Sequence, residues 1–508
     1  MSVINPRPGP KSGPARPDSP LRYASQGASA ALCAVAAMAA VSALALWLLD
    51  AGQVGSMWSL TMALTALAVG GSVNAGSDTA GATTGSGIGD LLGGLFGGGG
   101  MAPSMSGAAD VAPLGVTLAG ALMLWGVFSR QLHQRRCDTR ELAARAGGAA
   151  AAALVAVLVV ASLAHGTFSM PASAMSGLRD GQRVGSGGFA GGEGDLMGGL
   201  FGGGGTPQDM TMAYEVHAGA AGVGAVLWAA VVLAVGCLIS RKVRMPLGGT
   251  VDRLRPAWVP GIAAIIRTLL VVAAVPLVLV TLLGAVVGGR AATAAGAALL
   301  LVPNAVAVFL TLGVGSPWTA STEQVQSEGG NPFAALMGQM GGQQASTPPD
   351  RTAHLRDLAA GGWPLWLGAL TVTALLLLGC AYRAAKATDP ARTPPLHRYR
   401  GPFGPHLGFA ERFAVGTALI MGAAAWLAGA SGHFGITMFG SEMGGTRAEL
   451  TGNVLVTVVF GLLVGGVAGL AGCSLRGVVD RRSRLFVRRK APQETTTVSG
   501  MEVSVGNR

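Results

Sequence analysis

The sequence predicts an all-α integral membrane protein, with eight transmembrane helices plus two re-entrant or partial helices in two pseudo-repeated halves. Three observations carry this expectation. Half of the 508 residues are hydrophobic and only 12% are charged, about half the charged fraction of a soluble domain. A basic cluster follows every second long apolar segment. Two of the shorter apolar stretches, far apart in the chain, resemble each other in sequence and in context.

The charge pattern sets the sidedness. Segments 1–22, 130–145, 241–255, 383–412 and 476–490 hold 27 of the 35 Lys+Arg but only seven of the 24 Asp+Glu. The stretches between them are apolar runs or Gly-rich loops with an acidic excess. A helix needs about 20 apolar residues to cross a hydrocarbon layer of about 30 Å, and loops rich in Lys and Arg stay cytoplasmic. Both termini are therefore expected on the cytoplasmic side of the plasma membrane. The net charge of +11 suits anionic lipid headgroups. It is divided by side and lacks an aromatic-lined basic groove, which argues against nucleic acid.

In chain order, residues 1–22 read as a disordered basic tail. The first membrane half, 23–241, opens on Ala28–Leu49, too long for a cleavable signal core and read as a signal anchor. Its further spans are Ala112–Phe128, Ala146–Ala164 and Ala218–Ile239. A cytoplasmic linker, 242–256, leads to the second half, 257–476, with spans Ile262–Val287, Trp363–Ala381, Phe413–Ala430 and Val454–Leu475. Residues 477–508 form a tail, basic and then disordered. Two stretches, Met57–Val69 and Ala292–Val314, would move the basic clusters to different sides if they crossed, so they are expected to be re-entrant. Pro303 and Asn304 in the second should break its helix.

The two halves match locally. Ala63–Ser72 (ALTALAVGGS) parallels Ala307–Ser316 (AVFLTLGVGS), and Pro113-Leu114 parallels Pro364-Leu365. Four crossings per half give both halves one orientation, with a pseudo-two-fold axis along the membrane normal. The outer loops repeat as well. Gly87–Gly100 (GIGDLLGGLFGGGG) and Gly192–Gly205 (GEGDLMGGLFGGGG) share twelve of fourteen residues, with echoes at Gly330–Gly342 and Phe434–Gly445. These loops read either as hairpins dipping toward a central axis or as flexible loops resting on the lipid surface.

Chemistry-bearing residues are sparse. Arg267 can snorkel to the cytoplasmic face, and Asp50 and Arg290 are interfacial. His165, His217 and His433 end or open spans; with Glu215, and with Phe168 and Phe434 beside them, they could make a metal or proton site, or sit singly in solvent. Cys33, Cys137, Cys237, Cys380 and Cys473 avoid the outer loops and lack metal-ligand spacing, so they read as small apolar fillers. Gly461, Gly465 and Gly469 mark a close helix contact, within the monomer or between copies. No phosphate-binding loop, zinc-protease motif or nucleophile elbow occurs. The sequence therefore predicts no enzyme, no cofactor and no catalytic, cofactor-binding or metal residue. Two functions stay open: a non-transport membrane scaffold or envelope-interaction protein, and a transporter or permeability protein for an apolar or neutral solute. The expected partners are membrane lipids and a membrane or envelope protein, or a second copy.

LTALAVGGSV (Leu64–Val73), an acidic Gly-rich loop and PLGVTLAGAL (Pro113–Leu122) together resemble the streptophobe family, multi-pass membrane proteins of Streptomyces and related actinobacteria. The family has no assigned activity, so the resemblance implies architecture alone.

Overall fold

The computed structural model describes residues 20–76, 104–133, 139–170, 210–240, 249–287, 289–325, 351–357, 359–360, 363–388, 404–438 and 441–490. Ten α-helices dominate the described residues: α1 Pro20–Leu48, α2 Met57–Leu67, α3 Leu114–His133, α4 Thr139–Leu163, α5 Ala218–Ile239, α6 Gly249–Val287, α7 Arg290–Val314, α8 Leu365–Ala387, α9 Gly404–Leu427 and α10 Val454–Lys490. Among the described residues eight segments are long and apolar enough to cross a membrane: Pro20–Leu48, Thr139–Leu163, Ala218–Ile239, Trp258–Gly284, Arg290–Val314, Trp366–Ala387, His406–Leu427 and Val454–Val479. Leu and Val side chains such as Val231, Leu375 and Val467 stand exposed on their outward faces. In water such surfaces would aggregate, and they are consistent with a multi-pass membrane protein.

This set differs from the predicted spans at two places. The predicted span Ala112–Phe128 lies in α3, whose last turns include Arg130, Gln131 and His133, and it falls outside the eight. The predicted partial helix Ala292–Val314 is instead a continuous 25-residue helix, α7, with Pro303 inside it. Pro303 does not break α7, because other groups cover the backbone it frees. Its missing N–H leaves the Leu299 carbonyl without a helical donor. That carbonyl faces Gly115 of α3, where any Cβ would collide with it. Asn304 turns outward and hydrogen-bonds the start of α3.

The larger departure from an all-α expectation lies outside the helices. Strands β1 Val73–Gly76, β2 Ser104–Val111, β3 Gly166–Met170, β4 Met210–Val216, β5 Trp318–Val325, β6 Arg351–His354, β9 Ala430–Met438 and β10 Ser441–Gly452 form one antiparallel sheet in the order β3-β4-β1-β2-β9-β10-β5-β6. A separate two-residue pairing joins β7 Ala359–Ala360 to β8 Trp363–Pro364. Most of these strands directly follow or precede a helix, so the sheet sits at one end of the bundle. Strand β2 pairs with β9 over eight residue pairs, joining early and late parts of the chain. Of the four Gly-rich stretches, Phe434–Gly445 takes part in the β9–β10 hairpin rather than dipping toward an axis. Gly87–Gly100, Gly192–Gly205 and Gly330–Gly342 lie outside the described residues.

Helices α2 and α7 both begin and end at the sheet side. Before α2, Gly55 bridges Phe168 of β3; after it, Val73 starts β1. Between these points Thr65 contacts Ser42 near the end of α1, and the Ala68 carbonyl accepts a bond from Thr117 in the first turn of α3. Helix α7 packs Gly296 against Ala45, Leu48 and Leu49, Asn304 against Ala112 and Leu114, and Gly313 against Ala369 and Thr373. Each of these neighbours lies at or near the sheet-side end of its own helix. Length alone would let α7 cross; its contacts reach the sheet-side ends of α1, α3 and α8 and, most extensively, α6. Both helices stop in the same way. Gly70 (φ 95°) and Gly315 (φ 108°) adopt the left-handed conformation, and the next N–H, of Gly71 and Ser316, bonds back to Ala66 and Thr311. The caps align Gly70 with Gly315, one residue away from the sequence match.

Glycine sets the close helix contacts. Gly461, Gly465 and Gly469 of α10 face Ala418, Ala414 with Thr417, and Ala410 with Phe413 of α9, so this spacing serves packing within the monomer. A Cβ on Gly465 would lie 2.8 Å from Thr417 Cβ and 3.0 Å from Ala414 Cα. Gly465→Ala should therefore cost about 1–2 kcal/mol through overpacking, read as a lower unfolding midpoint in detergent. Gly477→Ala, which meets nothing within 4 Å, is the matched control and should leave the midpoint in place.

Candidate functional site

The sheet has one face against the bundle and one turned away from it. Along β4, Met212, Tyr214 and Val216 are buried while Ala213 and Glu215 are exposed. The registers place Glu215, Asn74, Ala108, His433, Arg447 and Glu323 in a single row across six strands. Cross-strand partners share a face, so this row lies on the polar side with Glu215. Arg447 also pairs with Glu449 at 3.9 Å.

The histidines do not converge. His165 precedes β3, His217 follows β4, and His433 is separated from Glu215 by β1 and β2. His217 Nδ1 lies 3.4 Å from Asn74 Nδ2. Among the described residues no group of three His, Cys, Asp or Glu could hold a metal ion. Strands β1 and β2, invisible in the sequence, hold His433 apart, whereas His165 and His217 flank the neighbouring strands β3 and β4. Phe168 packs near Tyr214, with centroids 6.1 Å apart, on the bundle side of the sheet. Cys237 and Cys380 are buried, while Cys33 is exposed; Cys137 lies outside the described residues.

A cleft of about 670 Å³ opens where the α1–α2 turn meets the end of α4. It is lined by residues of the turn (52–56), Trp58 and Ser59 of α2, and Leu163, His165, Gly166 and Thr167. Tyr214 from β4 braces its floor, its hydroxyl donating to Ser59 Oγ at 2.8 Å. Asp50, with φ 56°, accepts a hydrogen bond from Gln53 Nε2 within the turn. Exposed Trp47, Trp58 and Trp426 lie at this end of the bundle, where aromatic side chains mark a membrane–water boundary. The sequence pointed to His165 and Asp50 here but not to Gln53, Ser56, Trp58 or Thr167, which lack any motif.

No family model, curated protein or solved structure matches the chain.

Proposed function

We propose that the chain is a multi-pass scaffold of the plasma membrane that displays its sheet on the outer side to a membrane or envelope protein and catalyses no reaction. The observation that carries this reading is the single eight-stranded sheet drawn from both ends of the chain, with a polar face turned away from the bundle. The helices beneath it offer little for ion coupling. Among their described residues the charged side chains sit mainly at the ends away from the sheet, as with Arg145, Arg383 and Arg476, apart from Arg267 and Arg290. Crosslinking in intact cells followed by affinity capture should recover a stoichiometric partner, and reversing Glu215 and Arg447 to Lys and Glu should release it. Repeated recovery of the chain alone would overturn the scaffold reading. The transporter reading draws on the two helices that enter and leave on one side. It predicts uptake of an apolar or neutral solute into vesicles carrying the purified chain.

The proposed architecture has eight crossings, formed by every long helix except α7, and two homologous halves with both termini cytoplasmic. Duplication is supported by strand order: β3-β4-β1-β2 in the first half and β9-β10-β5-β6 in the second occupy corresponding positions between helices. Val73 opposite Val216 likewise corresponds to Trp318 opposite Gly452. The matching helix caps agree. The expected two-fold arrangement has less support, because α7 packs on α1 and α3 of the first half as well as on α6, α8 and α9 of its own, whereas α2 packs on α1, α4 and β4 within its own half. A streptophobe relationship would fit this architecture.

Sidedness has a direct test. Cys introduced at Ser86, Ser186, Ser346 or Ser441 in a Cys-free background should react with an impermeant thiol reagent on intact cells. Cys at Thr393 or Ser483 should react only after the membrane is opened. Native Cys137, kept as the sole cysteine, decides between eight crossings and ten. If α2 and α7 crossed, the basic loop carrying Cys137 would lie outside, against its charge, and Cys137 would label in sealed cells.

A further inference from the structure

We propose that the cleft between the α1–α2 turn and the end of α4 binds the neutral, hydroxylated headgroup of a sugar-bearing lipid. This goes beyond the scaffold reading and stands or falls separately from it.

The lining selects the chemistry. No Lys, Arg, Asp or Glu is among its lining residues, and the neighbouring Asp50 carboxylate is engaged by Gln53 Nε2, so a bare phosphate would find no counter-charge. Hydrogen-bonding groups are plentiful and uncharged: the hydroxyls of Ser56, Ser59 and Thr167, the amide of Gln53 and the imidazole of His165. His165 Nδ1 lies 2.8 Å from the Ser162 carbonyl. A carbonyl only accepts, so Nδ1 carries a proton, and in the neutral tautomer that this bond selects Nε2 is left as an acceptor. Gln53 uses its Nε2 on Asp50, which leaves Oε1 as another acceptor. Acceptors and hydroxyls together match a polyol, whose every oxygen both donates and accepts.

The apolar part points to a lipid-borne sugar. Trp58, 63% exposed, and Leu163, 42% exposed, are the large apolar side chains of the lining beside Val54. An indole presents a flat apolar face to the C–H side of a sugar ring while its edge stays wet. The cleft lies at the level of the exposed tryptophans, where a headgroup can enter from the bilayer with its chains left in lipid.

The test uses the full chain in nanodiscs of phosphatidylglycerol and phosphatidylethanolamine. A photoactivatable diacylglycerol bearing one glucose is compared with the same probe on phosphatidylglycerol and on diacylglycerol without a headgroup. The glucose probe should label peptides containing residues 52–59 and 163–167 about fivefold more than either comparator, as loss of one or two neutral hydrogen bonds implies. Gln53→Leu combined with Thr167→Val, nearly volume-conserving and away from the Tyr214–Ser59 brace, should reduce the glucose probe to the comparators' level. Unchanged far-ultraviolet dichroism and an unchanged unfolding midpoint would show that this variant is folded. Equal labelling by all three probes, or an undiminished preference in the folded variant, would overturn the proposal. Suppression by millimolar methyl glucoside would instead make the ligand a free sugar and overturn its lipid origin. Partner capture by crosslinking is unaffected by any of these results.

Discussion

Trp318→Ala should remove about 3–5 kcal/mol of stability, the usual cost of deleting a large buried aromatic side chain. Trp318 opens β5 and is 1% exposed, one of the largest fully buried side chains described. It packs in a cluster with Leu312 of α7, Ala369 of α8, and Ala425 and Ala428 at the end of α9. Its indole N–H donates to Thr311 Oγ1 at 3.0 Å. Opposite it in the sheet, Gly452 leaves room for the ring, where a Cβ would come within 2.8 Å of Cε2 and Cζ2. The side chain thus ties the base of the sheet to three helices at once. Trp318→Phe keeps most of the apolar contact and loses the hydrogen bond, so it should cost about 1–2 kcal/mol. Thermal unfolding in detergent would rank the variants, with infrared absorption of the strands as a second reading. If Trp318→Ala kept both the midpoint and the strand signal, the sheet would not depend on this anchor.

The helices were legible because their physics is one-dimensional. An apolar run of sufficient length must bury its backbone hydrogen bonds internally, and both run and length can be read from the chain. The expected re-entrant placement of Met57–Val69 rests on a related reason, since the Arg at 130–145 constrain what precedes them. Pro303 misled because a proline breaks a helix only when the carbonyl it frees has nothing to face, and Gly115 lies 188 residues away. The sheet was hidden altogether. Segments such as SMSGAADV and ASGHFGITM lack strong period-2 alternation and contain few β-branched residues, so they carry little strand signal of their own. Neighbouring strands decide their conformation, and those neighbours are distant in sequence. The cleft was hidden for the same reason: its walls come from two segments more than 100 residues apart. His165 could be singled out by type, but neither its acceptor nitrogen nor its distance from His433 could be known before the strands were placed.

The junction of α3 with α7 should be nearly as sensitive as Trp318, because two hydrogen bonds and a close backbone contact are made there together. Leu114 N–H, a first-turn donor without an intrahelical partner, donates to Asn304 Oδ1 at 2.9 Å, and Asn304 Nδ2 donates to the Ala112 carbonyl at 2.8 Å. Asn304 thus caps α3 from a distant part of the chain, while Gly115 lets α3 approach the Leu299 carbonyl freed by Pro303. Asn304→Leu should cost about 2–3 kcal/mol, from two lost hydrogen bonds and polar backbone groups left unpaired at low dielectric. Gly115→Val should cost about 3 kcal/mol, because the obstruction is a backbone carbonyl that cannot rotate away. The two substitutions act on one contact, so their combined loss should fall short of the sum by about 1 kcal/mol or more. Unfolding titrations of the single and double variants in mixed micelles would measure that coupling. Strict additivity would mean that the cap and the close approach are independent, and that Pro303 and Asn304 do not act together in holding α7 across the ends of α1 and α3.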